Sequence, residues 1–141
     1  MRLVGLLLIY LFILMGSAFT QTEADTTAPE PALAAAQTWL ALVDAGNYPA
    51  SWDTAAAYFK KVLPQDKWVT TMTAFRQPLG QVASRTFKDA QVTQSLPGAP
   101  DGQYVVIQYS SSFDKKKEAL ETITPMLDPD GKWRVAGYYI Q

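Results

Sequence analysis

The sequence predicts an α+β fold in which about three N-terminal helices pack on a four-stranded antiparallel meander sheet. Apolar residues recur every three or four positions before Gly80 and alternate with polar residues after it. Two turn signals, Pro97–Gly102 and Asp128–Gly131, separate the alternating segments. Because the helical segments all precede the strands, we expect the helices to cover one face of the sheet.

The N-terminus carries a predicted signal peptide over residues 1–18. Arg2 gives a short positive region, Leu3–Met15 has no charged side chain, and small residues precede a cleavage site after Ala18. The apolar run is shorter than the roughly twenty residues that span a bilayer. We therefore expect a periplasmic or secreted protein. Retention of this segment as an uncleaved membrane anchor is the alternative.

Residues 19–30 form a predicted disordered spacer, since they are polar and contain few side chains that could offset the entropy of ordering. Residues 31–141 form the predicted single α+β domain, which is long enough for a core without disulfides. The formal net charge is −1. Nucleic acid is therefore not expected as a partner, because it binds clustered positive charge.

The helices are expected in three segments. Pro31 opens the first, where its missing N–H is not needed, and Gly46 ends it. Residues 48–63 are expected to form one short helix or two broken ones. The third helix extends from about Gln65 to Gln77. Its expected apolar face contains Trp68, Met72, Phe75 and Leu79.

Four strands are expected after Gly80. Their predicted ranges are Thr86–Leu96, Tyr104–Phe113, Ala119–Leu127 and Trp133–Ile140. Residues 114–121 have a helix-forming composition, so helix and strand both stay open there, although the β-branched residues that follow favour strand. In the second strand one face is expected to carry Val105, Ile107, Tyr109 and Phe113, and in the fourth strand Tyr138 and Tyr139 are expected to point to opposite faces.

Four segments carry a family resemblance: Thr38–Asp53, Ser95–Tyr109, Lys117–Met126 and Gly131–Gln141. Their aromatic, glycine and proline positions resemble those of a bacterial secreted family, domain-of-unknown-function family 4019, over nearly all of residues 33–141. The resemblance implies export and a small α+β domain, and it implies no activity. The order of helices and sheet also resembles nuclear-transport-factor-2-like and cystatin-like architectures, although the former usually place a helix among the strands.

Catalytic chemistry is limited by the absence of histidine and cysteine. This excludes Ser-His-Asp and Cys-His nucleophiles and the usual zinc, haem and iron–sulfur sites. Ser112–Lys115 lacks the partner motifs of penicillin-interacting enzymes, and Asp128–Gly131 lacks the spacing of a calcium loop. Asp44 and Asp53 are expected at helix ends and on the surface. We therefore expect no catalytic residue, no metal and no cofactor.

The positive signal is aromatic, with four tryptophans and seven tyrosines. The ordinary interpretation places Trp39, Trp68 and Trp133 in the core or at its edge. The functional interpretation is an aromatic groove between helices and sheet, in which an arginine supplies a cation. The candidate residues of this groove are Trp52, Tyr58, Arg76, Arg85, Trp133 and Tyr138.

Three functional hypotheses follow. The first is an exported non-enzymatic module that binds a small molecule or peptide in the aromatic groove. The second is an envelope protein that binds another protein through an exposed sheet face or edge. The third is a hydrolase built on aspartate and arginine alone, which no motif supports.

Overall fold

The computed structural model describes residues 28–141. In this part of the chain, four helices precede the sheet: α1 (Glu30–Asp44), α2 (Tyr48–Asp53), α3 (Ala57–Val62) and α4 (Gln65–Phe75). A short 3-10 helix (Gln77–Leu79) leads to the strands β1 (Val82–Thr93), β2 (Tyr104–Phe113), β3 (Lys116–Leu127) and β4 (Trp133–Ile140). The strands form one antiparallel sheet in sequence order. The predicted α+β fold with a meander sheet is therefore confirmed.

The predicted signal peptide, its cleavage site and most of the predicted spacer lie outside the described residues. Helix α1 begins at Glu30, the last residue of that spacer. Within residues 28–141, no helix combines the length and the apolar character that crossing a bilayer requires.

The helical boundaries follow local signals. Gly46 ends the first helical segment with a φ of 75°, a conformation that favours glycine. Asn47 caps α2, because its side chain accepts a hydrogen bond from the Ala50 backbone N–H at 3.3 Å. Residues 48–63 form two helices rather than one. Residues 28–141 therefore contain four α-helices, in agreement with the alternative of two broken helices.

Strands β2 and β4 have the predicted bounds, and β3 begins earlier than expected. β1 both begins and ends earlier, at Val82–Thr93 instead of Thr86–Leu96. β3 begins at Lys116 because Phe113 pairs with Lys116 across a two-residue turn. The helix-forming composition of residues 114–121 is overridden, since Lys116 and residues 119–121 pair with β2. Lys115 thus lies in a tight turn, and Lys116 and Lys117 lie at the start of a strand.

The core lies between the helices and one face of the sheet. The predicted inward face of β2 is buried, and α1 and α4 contribute Trp39 and Trp68, whose ring centroids are 5.9 Å apart. Both indole N–H groups donate to Ser51 of α2, Trp39 to the backbone carbonyl at 2.7 Å and Trp68 to Oγ at 2.9 Å. A six-residue helix therefore satisfies the polar atoms of two core tryptophans.

The predicted apolar face of α4 is only partly correct. Trp68 and Met72 are buried, but Phe75 is 74% exposed. Phe75 is the last residue of α4, and there it lies at the rim of a cleft instead of under the sheet.

Candidate functional site

A buried carboxylate occupies the helix-facing side of the sheet. Glu121 of β3 is 0% exposed. It accepts hydrogen bonds from Arg85 Nε at 2.7 Å, from Arg85 Nη2 at 3.2 Å and from Ser111 Oγ at 2.5 Å. The Tyr138 hydroxyl donates a fourth. Four donors on two oxygens satisfy an ionised carboxylate.

Arg85 connects this carboxylate to the end of α1. Its Nη1 and Nη2 donate to the two oxygens of Asp44 at 2.8 and 2.9 Å, which is a bidentate pair. Burial alone would lower the pKa of Arg85, but its hydrogen bonds with Asp44 and Glu121 raise the pKa overall, so the guanidinium stays charged. Asp44 does end a helix as expected, yet it is an ion-pair partner and not a plain surface carboxylate.

Arg76 is the second guanidinium at this position, and its side chain is only 4% exposed. Nη1 donates to the Gly80 carbonyl at 2.6 Å, and Nη2 lies 3.4 Å from Asp44 Oδ1. The guanidinium carbon lies 4.6 Å from the centroid of the Phe113 ring. Nε is buried and has no hydrogen-bond partner in the described structure. Arg76 is therefore less completely paired than Arg85.

Asp44, Arg76, Arg85 and Glu121 together form what we call the charge network. Arg85 lies between the two carboxylates and donates to both. In residues 28–141, no three acidic side chains are grouped so that they could hold a metal ion. Because its oxygens are bound to guanidiniums, the network fixes α1, β1 and β3 relative to one another.

Tyr138 links the charge network to β4. Burial, and then the negative charge of Glu121, raise the pKa of the Tyr138 hydroxyl, so it remains a protonated donor at neutral pH. The edge of its ring contacts Trp39, with centroids 5.3 Å apart. Tyr139 is 52% exposed on the opposite face. The alternation predicted for these two tyrosines is confirmed.

An open cleft of about 320 Å³ lies between α4 and the end of β4. Its volume falls at the lower end of the range for small-molecule sites, about 300–1,000 Å³. We call it the α4–β4 cleft. Its apolar walls include Trp68, Met72, Phe75, Leu79, Tyr138 and Ile140.

The charged side chains of the α4–β4 cleft are both basic. Arg76 lies in its wall and Lys116, the first residue of β3, also lines it. No aspartate or glutamate side chain is among the lining residues. The cleft therefore combines an aromatic wall with positive charge.

A second depression, the α1–β1 groove, lies beside the point where the described chain begins. It is larger, about 560 Å³, and is lined by Leu33, Phe87 and Tyr109 among others. Its charged residues have both signs, Glu30 and Asp89 against Lys88. The charged side chains of the α1–β1 groove thus have opposite signs, whereas those of the α4–β4 cleft are both basic. Fewer aromatic residues line the groove than line the cleft.

Three of the six candidate residues predicted from sequence come together. Arg76 and Tyr138 line the α4–β4 cleft, and Arg85 binds the same carboxylate as Tyr138. The other three lie elsewhere. Trp52 donates its indole N–H to the Leu63 carbonyl at 2.7 Å, and Tyr58 donates to the Gly98 carbonyl at 2.9 Å. Trp133 lines a shallow surface beside α1.

Sequence reasoning did not identify Glu121, Phe75 or Lys116 as site residues. The sequence did carry a signal for Glu121. It is a charged residue two positions before Ile123, on the inward side of a predicted strand. The sequence carried no such signal for Lys116. A turn brings this residue to the cleft, and the composition of that turn favours a helix.

Comparison with known proteins gives one family. A family model described as a protein of unknown function (DUF4019) matches residues 35–138. The matched range includes the whole charge network, Lys116 and Tyr138. No curated protein matches the chain.

Proposed function

The chain belongs to the DUF4019 family, and from the geometry of the α4–β4 cleft we propose that it is an exported, non-enzymatic module that binds a small molecule with a substantial apolar part. The observation that carries the proposal is Phe75, an aromatic ring that ends a core helix yet remains 74% exposed at the rim of an aromatic cleft. A ligand that covers Phe75 would gain about 25 cal/mol for each Å² of apolar surface removed from water.

Rigid walls support this proposal. Trp68 fixes α4 through its hydrogen bond to Ser51, and Tyr138 fixes β4 through its hydrogen bond to Glu121. A preformed site binds at a smaller entropic cost than one that must be ordered by its ligand.

The non-enzymatic part of the proposal rests on the chemistry that the side chains offer. The chain has no histidine or cysteine. Asp44 and Glu121 each accept hydrogen bonds from Arg85, so neither carboxylate is held as a free general base.

A neutral fluorescent probe tests binding in the cleft. N-phenyl-1-naphthylamine should bind the protein saturably, with a rise in emission on entering an apolar site. Phe75→Ala should weaken binding about five- to thirtyfold, because it removes roughly 1–2 kcal/mol of apolar contact. The matched control is Phe87→Ala, which truncates a 54% exposed phenylalanine in the α1–β1 groove. Absence of saturable binding, or equal loss in both variants, would refute the proposal.

Export is tested separately. Mass spectrometry of the protein from the extracytoplasmic fraction should find Phe19 as the first residue, as expected for cleavage after Ala18. An intact Met1 in the membrane fraction would instead favour the uncleaved anchor.

A protein partner is the second candidate function, and one observation favours it. Edge strand β1 carries two exposed apolar side chains, Phe87 and Val92. Exposed edge strands can pair with another chain. Retention of an envelope protein by the wild type but not by a Phe87→Asp/Val92→Asp variant would support this function. Equal retention by both proteins would count against it.

A further inference from the structure

The α4–β4 cleft has an apolar end. The rings of Trp68 and Tyr138 both approach Trp39, with centroid distances of 5.9 and 5.3 Å. This shared neighbour places the two cleft residues at the same end, above the centre of the core. An apolar chain or ring would be covered there by aromatic surface.

The opposite end of the cleft has positive charge. The Arg76 guanidinium lies over the Phe113 ring, and Lys116 pairs with Phe113 across the β2–β3 turn. Both cationic residues therefore adjoin Phe113, and Arg76 follows Trp68 by eight residues, which is about 12 Å along a helix axis. The distribution of side chains along the cleft is amphipathic.

Arg76 also has unused binding capacity. It shares Asp44 with Arg85 and is 3.4 Å from that carboxylate, whereas charge-assisted hydrogen bonds are usually about 2.7–2.9 Å long. Its Nε remains without a partner although the side chain is almost fully buried. A buried donor without an acceptor is costly. Nε itself is out of reach of a ligand, so an anionic group in the cleft would act on Arg76 through the charge of its guanidinium.

We propose that the ligand of the α4–β4 cleft is an amphipathic carboxylate, with its apolar part between Trp68 and Tyr138 and its carboxylate between Arg76 and Lys116. The inference rests on the proposed function, because it assigns the chemistry of the ligand of that same cleft. Lys116 is the specificity residue at the mouth, since its ammonium meets the carboxylate where the cleft opens to solvent.

Displacement of N-phenyl-1-naphthylamine by three ligands of equal chain length tests the inference. Decanoate should bind about tenfold or more tightly than decanamide, since a hydrogen bond to a charged group contributes more than a neutral one. Decylammonium should bind most weakly. The preference for decanoate over decanamide should shrink when the ionic strength is raised about tenfold.

A matched pair of lysine variants locates the charge. Lys116→Gln should reduce the ratio of decanoate to decanamide affinity about two- to fivefold, as expected for a partly exposed ion pair. Lys117→Gln is the control, since this neighbouring lysine is exposed and lies beside the polar open face of the sheet. An equal effect of the two variants would overturn the assignment of Lys116.

The outcomes separate the two proposals. Saturable probe binding with equal affinity for decanoate and decanamide, or with preference for decylammonium, would overturn the carboxylate inference and leave the binding function standing. Absence of probe binding by the wild-type protein would instead refute the binding function.

Discussion

Glu121 is a charged side chain in the core, and its stability effect should be large. Removing one partner from a buried ion pair typically costs about 3–5 kcal/mol, because the remaining charge is left without compensation. We therefore expect Glu121→Gln to lower the free energy of unfolding by about that amount in urea denaturation. Glu118→Gln is the control, since Glu118 is an exposed glutamate on the same strand. Similar midpoints for both variants would show that the charge network adds little.

Tyr138 should make stability depend on alkaline pH. Burial and Glu121 raise its pKa above the ordinary value of 10.0. Below pH 10 both states hold the phenolic proton, so the stabilisation is complete. Above pH 10 the unfolded chain loses the proton while the folded chain keeps it, and the stability therefore falls.

Two tyrosine variants measure this contribution. Burial is also the main cause that raises the pKa of Tyr48, Tyr104 and Tyr109, so the wild-type slope above pH 10 includes several groups. Tyr138→Phe should reduce that slope by up to about 1.4 kcal/mol per pH unit. Tyr139→Phe, which alters the exposed neighbour, should leave it unchanged. Unfolding free energies between neutral and alkaline pH provide the comparison, and identical slopes would contradict the account.

The residues of the site differ in how far the sequence could identify them. Alternation along β4 correctly predicted that Tyr138 and Tyr139 face opposite sides. The contact between Arg85 and Glu121 joins residues 36 positions apart, and no local period encodes such a pair. Phe75 was expected in the core because helical periodicity identifies the apolar face of α4. Periodicity does not show how far along the helix the rest of the protein covers that face.

At the scale of elements, the junction between the 3-10 helix and β1 depends on Gly80. Its φ is 78°, and an added Cβ would lie 2.9 Å from the Cβ of Asp114. Asp114 in turn accepts a hydrogen bond from the Gln81 backbone N–H at 3.1 Å. Gly80 thus combines a positive φ with a close approach between the backbone before β1 and Asp114.

Alanine at Gly80 should therefore cost more than the backbone conformation alone. Gly98 has a φ of 77° and is surrounded by open space, since an added Cβ there would meet no atom within 4 Å. Gly98→Ala should cost about 1–2 kcal/mol from backbone strain. Gly80→Ala should cost a further amount of about 1–3 kcal/mol from steric overlap. Thermal unfolding of both variants tests the difference, and equal melting temperatures would argue against a steric contribution at Gly80.

The elements show where sequence patterns suffice. β2 alternates cleanly and had the correct bounds, because one face is buried and the other is polar. β3 was predicted to begin near Ala119, since the charged residues before it have helical propensity. Pairing with β2 determines the conformation of this part of β3, because pairing with β4 begins only at Glu121. A local stretch of sequence does not show which strand will lie beside it.

At the scale of the whole molecule, the order of helices before strands was enough to predict the layers of the fold. The α4–β4 cleft could not be predicted in the same way. It forms where α4, the turn before β3 and the end of β4 meet, and these segments are far apart in sequence. The six predicted aromatic and basic residues had suitable chemistry, but only the assembled fold determines which of them share a wall.

We propose the α4–β4 cleft as the binding site. Titration of ¹⁵N-labelled protein with N-phenyl-1-naphthylamine, followed by two-dimensional amide NMR spectra, tests it most directly. We predict that the largest shifts occur together at Phe75, Arg76 and residues 138–140, with a common dissociation constant. Shifts concentrated in the α1–β1 groove around Leu33 and Phe87, or no saturable shifts, would contradict the claim.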